Sequence, residues 1–133
     1  MGFWLGIAKK ENIKKVLDTG KFALNEKDHY SNKIKEGDGL ILYGSPKRIH
    51  AICSVTSHPK KDDENIFGER KLVFTINIKK VSKTPVEFSP FISKLKFLSK
   101  INNVESRWAT SLMGRSIKPI PKEDFDLMSK SLK

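Results

Sequence analysis

Ile49-His50-Ala51-Ile52-Cys53-Ser54-Val55-Thr56 and Leu72-Val73-Phe74-Thr75-Ile76-Asn77-Ile78-Lys79 are the two stretches that decide the fold. In the first, Ile49, Ala51, Cys53 and Val55 alternate with His50, Ile52, Ser54 and Thr56. In the second, Leu72, Phe74, Ile76 and Ile78 alternate with Val73, Thr75, Asn77 and Lys79. A period of two puts alternate side chains on opposite faces, so both stretches read as strands with one buried face. Residues 58–69 between them, HPKKDDENIFGE, read as a polar loop.

Upstream, Leu40-Ile41-Leu42-Tyr43 is a short apolar run after the turn signal Lys35-Glu36-Gly37-Asp38, and reads as a buried strand. Gly44-Ser45-Pro46-Lys47 turns the chain into the alternating stretch. Residues 2–7 read as a first short strand. Residues 10–18 read as a helix with Ile13, Val16 and Leu17 on one face, Lys10, Lys14 and Lys15 on the other, and Gly20 as its stop. Phe22-Ala23-Leu24 reads as a further short strand and residues 29–34 as a helical turn. Downstream, a short helix is expected after Pro90 and a strand within residues 106–118. A C-terminal helix is expected from Pro121, with Glu123 and Asp124 in its first turn and Phe125, Met128 and Leu132 on one face. Strands dominate the centre and helices cover the ends. This order predicts one mixed α/β (α+β) domain over residues 1–133, a strongly curved, barrel-like sheet with flanking helices, rather than a βαβ repeat.

The sequence holds 26 Lys+Arg against 15 Asp+Glu, a net charge of +11, which creates a field that attracts polyanions. The basic residues are 22 Lys and only 4 Arg, and Gln is absent. That bias suits a hot habitat or a skewed genome as well as a binding role. Cys53 is the single cysteine, so no intramolecular disulfide forms; within its apolar strand it reads as a buried thiol in a reducing compartment. The opening MGFWLGIAKKEN has neither a basic n-region nor a long apolar run, and no stretch approaches about 18 uninterrupted apolar residues. No membrane span and a cytoplasmic location are expected.

Candidate chemistry is sparse. His29, His50 and His58 lack zinc spacing, and one cysteine cannot complete an ordinary structural zinc site. No metal, cofactor or catalytic residue is expected. Gly37-Asp38-Gly39 leads into a strand rather than a helix, the wrong context for cradling a phosphate. Asp62, Asp63 and Glu69 with Lys71 form a set that in a nuclease could hold Mg²⁺ and activate water; a solvated charged loop explains the same residues. Trp4, Phe22, Tyr43 and Trp108 lie near strand ends, turns or basic residues, as base-stacking aromatics do. From composition and pattern alone core packing is the favoured explanation, and Phe74 and Phe125 fit the core by their positions.

Several blocks together resemble the EVE domain, a member of the PUA-like superfamily, over nearly the whole chain. They are Phe3-Trp4 followed by Lys9-Lys10-Glu11-Asn12; Lys35-Glu36-Gly37-Asp38 with Leu40-Ile41-Leu42-Tyr43; Val55-Thr56-Ser57-His58-Pro59; and Leu95-Lys96-Phe97-Leu98, Arg107-Trp108, Met113-Gly114 and the segment from Pro121 through Leu127. Two positions depart from the family pattern: His58 stands where Glu is usual, and Phe22 where Trp is common. The resemblance implies a PUA-like curved pseudo-barrel and a non-catalytic module that recognises a modified base in DNA or RNA. YTH domains, which read methylated adenine, and RNA-binding PUA domains are relatives in the superfamily. It points to Trp4, Phe22, Ser57, His58, Pro59, Arg107 and Trp108 as ligand contacts, with Lys47, Arg48, Lys60 and Lys61 as phosphate contacts. The rival readings are a metal-dependent nuclease and a protein-interaction module without a nucleic-acid role.

Overall fold

The computed structural model describes residues 2–25, 30–44, 48–61, 66–68, 70–87, 91, 95 and 116–132. Their elements, in chain order, are β1 (Phe3–Ala8), α1 (Lys10–Thr19), β2 (Lys21–Leu24), a 3-10 turn (Ser31–Lys33), β3 (Gly39–Gly44), β4 (Arg48–Val55), β5 (Lys60–Lys61), β6 (Leu72–Glu87), β7 (Ile117–Pro119) and α2 (Lys122–Ser131).

These strands form a sheet in the order β2-β6-β4-β3-β1-β7, with β5 also paired to β6. Among the described pairs only β1–β3 is parallel. The two decisive stretches pair with each other, from Val55 opposite Ile76 to Arg48 opposite Glu87. Irregularities between Ile49 and Ala51 and between Ile52 and Cys53, and one between Leu42 and Tyr43 in the β3–β4 pair, bend the ribbon. The curl brings the two ends of the sheet together. At the end of β2 the Asn25 N–H donates to Ser116 Oγ (3.2 Å), while Ile7 N–H of β1 donates to the Ser116 carbonyl (2.9 Å). Ser116, just before β7, is fully buried in this seam.

Alternation sorts the core into two clusters. β4 alternates half-buried and buried residues along its whole length: Ala51, Cys53 and Val55 join the inner cluster, while Ile49, beyond the irregularity, joins the outer one. β3 is buried on both faces: Leu40 and Leu42 join an inner cluster with Trp4, Phe22, Phe74 and the α1 residues Ile13 and Val16. Ile41 and Tyr43 join an outer cluster with Leu5, Ile49, Phe91, Leu95, Ile120, Met128 and Leu132. α1 ends as its sequence requires, on Gly20 at φ 69°, whose N–H closes onto the Val16 carbonyl. α2 buries Met128 and Asp124 and lays the half-buried Phe125 ring against Phe3, centroids 4.8 Å apart.

Two expectations need correction. The loop over residues 58–69 contains β5, two exposed lysines that extend the ladder on β6. β6 also runs on to Glu87 instead of ending near Lys79. The helix expected after Pro90 lies outside the described residues, except that Leu95 N–H donates to the Phe91 carbonyl (3.0 Å) and both side chains are buried. Of the strand expected within residues 106–118, Ile117–Pro119 forms β7.

Candidate functional site

β4 and β5 run along the same flank of β6, interrupted at residues 56–59. The interruption has a local cause. Pro59 has no N–H to give the ladder. The Thr56 N–H still reaches the Thr75 carbonyl (2.9 Å), but the Thr75 N–H is met by a side chain, Ser57 Oγ (2.9 Å). Ser57 thus stands in for a missing backbone acceptor. Its Oγ also accepts from Thr75 Oγ1 (2.9 Å), and Thr75 Oγ1 lies 2.6 Å from Thr56 Oγ1. A hydroxyl accepts twice and donates once. With both lone pairs of Ser57 engaged, the group it can offer a ligand is its proton.

His58 follows, exposed, with Nδ1 3.2 Å from the Ile34 carbonyl oxygen. A carbonyl can only accept, so this contact puts a proton on Nδ1 and leaves Nε2 of the neutral ring as an acceptor. Lys60 and Lys61 come next, both exposed. The structure therefore gathers Ser57, His58, Pro59, Lys60 and Lys61 at one break in the sheet, beside the segment that carries Ile34.

That segment leads to Trp4. The indole is 5% exposed, in the inner cluster, and its Nε1–H donates to Asp38 Oδ2 (2.9 Å). The Asp38 carboxylate also accepts from Gly2 N–H at Oδ1 (2.8 Å) and from Lys35 N–H at Oδ2 (3.0 Å). Three donors on one buried carboxylate fasten the start of β1 to the turn before β3 and fix the plane of the indole. Tyr30 meets the Trp4 ring edge-on at 5.8 Å, and the Lys33 ammonium lies 5.8 Å from the Tyr30 ring centre. The Trp4 N–H is thus committed within the protein.

Phe22 is fully buried, 5.6 Å from Phe74 in ring-centre distance. Gly6 makes room for it: a Cβ there would come within 2.9 Å of the Phe22 ring. The Arg70 guanidinium lies 6.0 Å from the centre of the Phe22 ring, and Nη1 donates to the Ala23 carbonyl (3.3 Å). Arg48 sits elsewhere, at the far end of β4 from the break, roughly 25 Å along the strand, where it pairs with Glu87 at 3.5 Å. The structure does not bring it to the Ser57–Lys61 group. Lys47, Arg107 and Trp108 lie outside the described residues, as do Asp62, Asp63 and Glu69. Of the nuclease set Lys71 alone is described, and no group of three or more His, Cys, Asp or Glu side chains suited to a metal occurs among the described residues. Likewise, no helix among them is long and apolar enough to cross a membrane.

Two buried acids are perturbed by desolvation. Burial pushes the Cys53 thiol and the Tyr43 phenol each up to about 12. At Cys53 that suppresses the reactive thiolate, in keeping with a packing role.

Sequence reasoning missed Asp38, Tyr30 and Arg70. Asp38 was visible only as a turn residue, its partner Trp4 being 34 positions away; Arg70 was visible only beside Glu69 and Lys71 in a charged run.

The family model for the EVE domain matches residues 2–131. The chain is 26% identical to the UPF0310 protein PH1033 of Pyrococcus horikoshii, covering 99% of both chains. Its fold resembles that of the human THYN1 protein, solved in complex with 5-methylcytosine-containing DNA, at a TM-score of 0.65 and 13% identity over 100% of this chain and 99% of that one. It also resembles the YTH domain of Zygosaccharomyces rouxii MRB1, solved in complex with N6-methyladenosine RNA, at a TM-score of 0.62 and 16% identity over 96% of this chain and 85% of that one.

Proposed function

This chain belongs to the EVE domain family, and from that premise we propose that it is a non-catalytic nucleic-acid-binding module that recognises a modified base in DNA or RNA through a partly aromatic pocket. One observation carries the reading: two folds that match this chain almost end to end are each solved on a nucleic acid containing a methylated base. The charge of +11 supports the same partner, because lysines that neutralise phosphates release counterions.

In this reading the break between β4 and β5 is the edge that meets the base. Ser57 supplies a donor and His58 Nε2 an acceptor. The usual family carboxylate at position 58 is replaced by a ring nitrogen that can still accept. Pro59 stiffens the turn, and Lys60 and Lys61 take the adjoining phosphates. Trp4 stands behind the segment that carries Ile34, and the family resemblance adds Arg107 and Trp108 as ligand contacts. Phe22 is fully buried against Phe74, so it supports the site from the core rather than as an open stacking face. Lys47 and Arg48 bind phosphate only if the strand runs on along β4.

A base must leave the stack to be read this way, so single strands are the natural substrate. A buried methyl contributes about 0.8 kcal/mol, a several-fold preference. Fluorescence anisotropy with single strands carrying 5-methylcytosine or N6-methyladenine, against their plain counterparts, tests this. Tighter binding to one modified strand is the expected result. Equal, salt-insensitive or absent binding to all of them would overturn it.

A further inference from the structure

We propose that Asp38, buried beneath the site, is a positioning residue for His58: through the peptide group between Ile34 and Lys35 it sets which imidazole nitrogen faces a ligand. The inference rests on the base-binding reading above and adds to it a residue that touches no ligand itself.

The chain of contacts runs through one peptide unit. Asp38 Oδ2 accepts from the Lys35 N–H (3.0 Å), and the Ile34 carbonyl of that same unit lies 3.2 Å from His58 Nδ1. A trans peptide is planar, with its N–H and C=O pointing in opposite directions. Holding the N–H on the carboxylate therefore aims the carbonyl away from it, towards the ring. The carboxylate is itself firmly held. Gly2 N–H and Trp4 Nε1–H donate to it at 2.8 and 2.9 Å, and Asp38 is only 3% exposed. Its turn is docked on the end of β4: Gly37 N–H donates to the Val55 carbonyl and Val55 N–H to the Asp38 carbonyl, each at 2.8 Å. Ile34 is buried as well. The imidazole, by contrast, is exposed, and the Ile34 carbonyl is its one hydrogen-bond partner among the described residues.

Two effects of the carboxylate reach the ring. The first is geometric, the aim of the Ile34 carbonyl. The second is electronic. A hydrogen bond to a carboxylate is charge-assisted, and bonds in series polarise one another, so the Ile34 carbonyl accepts more strongly than one whose peptide N–H is free. Both effects favour a proton on Nδ1, and in a neutral imidazole the bond made by one nitrogen decides the state of the other.

The consequence falls on the ligand side. Ser57 Oγ–H and His58 Nε2 then present one donor and one acceptor from neighbouring residues. The edges of an unstacked base offer both kinds of group. With the proton on Nε2 instead, both residues would donate, and a base N–H would meet another donor. Asp38 thus acts on recognition from two hydrogen bonds away.

The test reads the tautomer directly. Long-range ¹H–¹⁵N NMR spectra of the His58 ring, recorded in alkaline buffer with the ring neutral, distinguish a proton on Nδ1 from one on Nε2. Wild type should hold it on Nδ1. Asp38→Ala, which frees the Lys35 N–H, should shift it towards Nε2. Asp38→Asn, which keeps an acceptor oxygen without the charge, should shift it part of the way, and carries the comparison if Asp38→Ala does not fold. Leu5→Ala, destabilised from the outer cluster, should leave the tautomer as in wild type. By fluorescence anisotropy, Asp38→Ala should bind a single strand about three- to tenfold more weakly, as expected for one lost hydrogen bond. That loss should shrink in a His58→Ala background, where the ring is gone. A wild-type ring protonated on Nε2, a tautomer unmoved in the folded Asp38 variants, or one that Leu5→Ala moves as far, overturns the inference, while strands that still bind wild type leave the base-binding reading standing. If wild type binds no strand, the base-binding reading itself fails, and the part of Asp38 in recognition with it.

Discussion

The two faces of β1 and β3 bury similar sets of apolar side chains for different ends. On the outer face Leu5, Ile41, Tyr43 and Ile49 pack beneath Met128 and Leu132, so a helix seals the cluster. On the inner face Trp4, Phe22, Leu40 and Leu42 pack with Phe74 and Val16, and charged groups reach into the rim: Asp38 onto the Trp4 indole, Arg70 onto the Phe22 ring. A cluster sealed by apolar atoms can only stabilise. A cluster rimmed by polar groups also depends on the hydrogen bonds they make. Neighbouring residues in one strand, Leu5 and Trp4, thus fall on a face sealed by apolar atoms and a face rimmed by polar ones.

The largest effect that breaks the comparison lies on the sealed face. Leu5 is fully buried, and Leu5→Ala should lower unfolding stability by about 2–5 kcal/mol, through reduced transfer energy and the cavity left behind. Urea melts measure it. The folded fraction should still bind oligonucleotide as wild type does; a matching drop in affinity would show that the faces are coupled.

On the inner face, Asp38→Ala leaves the Gly2 N–H, the Trp4 Nε1–H and the Lys35 N–H without their acceptor. Each unsatisfied buried donor costs about 1–3 kcal/mol, less whatever water recovers at the two part-buried sites, so a loss of about 2–3 kcal/mol is expected. Unlike Leu5→Ala, this change should also alter tryptophan emission in the folded protein, because the indole loses its partner. A melt shifted by less than about 0.5 kcal/mol would show that the carboxylate holds nothing.

Much of this division is legible in the sequence. Alternation in residues 49–56 marks the buried face of β4 without a partner in view, and the face that carries Cys53 packs inward. Periodicity of 3.6 likewise places Ile13 and Val16 of α1 in the core. What the sequence hides has physical reasons. β5 is two lysines long, too short for a period to appear. Past Lys79, β6 continues through Lys80-Val81-Ser82-Lys83-Thr84-Pro85, a polar run with a proline that no strand pattern marks. Ser57 could be flagged by the family block, but its place in the ladder depends on Thr75, 18 positions away. Arg70 and Phe22 meet only because β2 and the start of β6 pair.

A smaller effect tests how dry the inner cluster is. Cys53 titrates at about 12 in the folded protein against an ordinary 9.0. A folded-state value above the unfolded one means the native state binds its proton more tightly. The contribution is complete below about pH 9 and is lost as pH rises from there towards 12. At pH 10 the decrease should be about 1 kcal/mol. Cys53→Ala should flatten stability between about pH 8 and 10 relative to wild type, after subtracting its own packing cost at the lower pH. Parallel curves for the two proteins would mean that water reaches the thiol.

The smallest effect on stability sharpens the comparison most, because it removes side chains that the binding reading assigns to phosphate. Lys60 and Lys61 are exposed on β5, and their backbones, not their side chains, make the ladder to Val73 and Leu72. Replacing either with Ala should leave stability within about 0.5 kcal/mol. Binding to a single strand should respond differently. Each phosphate left without its lysine reduces the slope of log K against log salt by about 0.7, so a wild type that neutralises about five phosphates has a slope near −3.5 and the double variant one near −2.1. The weakening should be the same for modified and plain strands, since a phosphate contact carries no base information. Arg48→Ala is the control from the far end of β4: its charge is equal, but its partner is Glu87 and it lies away from the break. If the strand lies at the break, the slope should stay at its wild-type value in Arg48→Ala and fall in the lysine variants. An equal fall in both would mean that the positive field acts as a whole, and that the break between β4 and β5 is not where the strand lies.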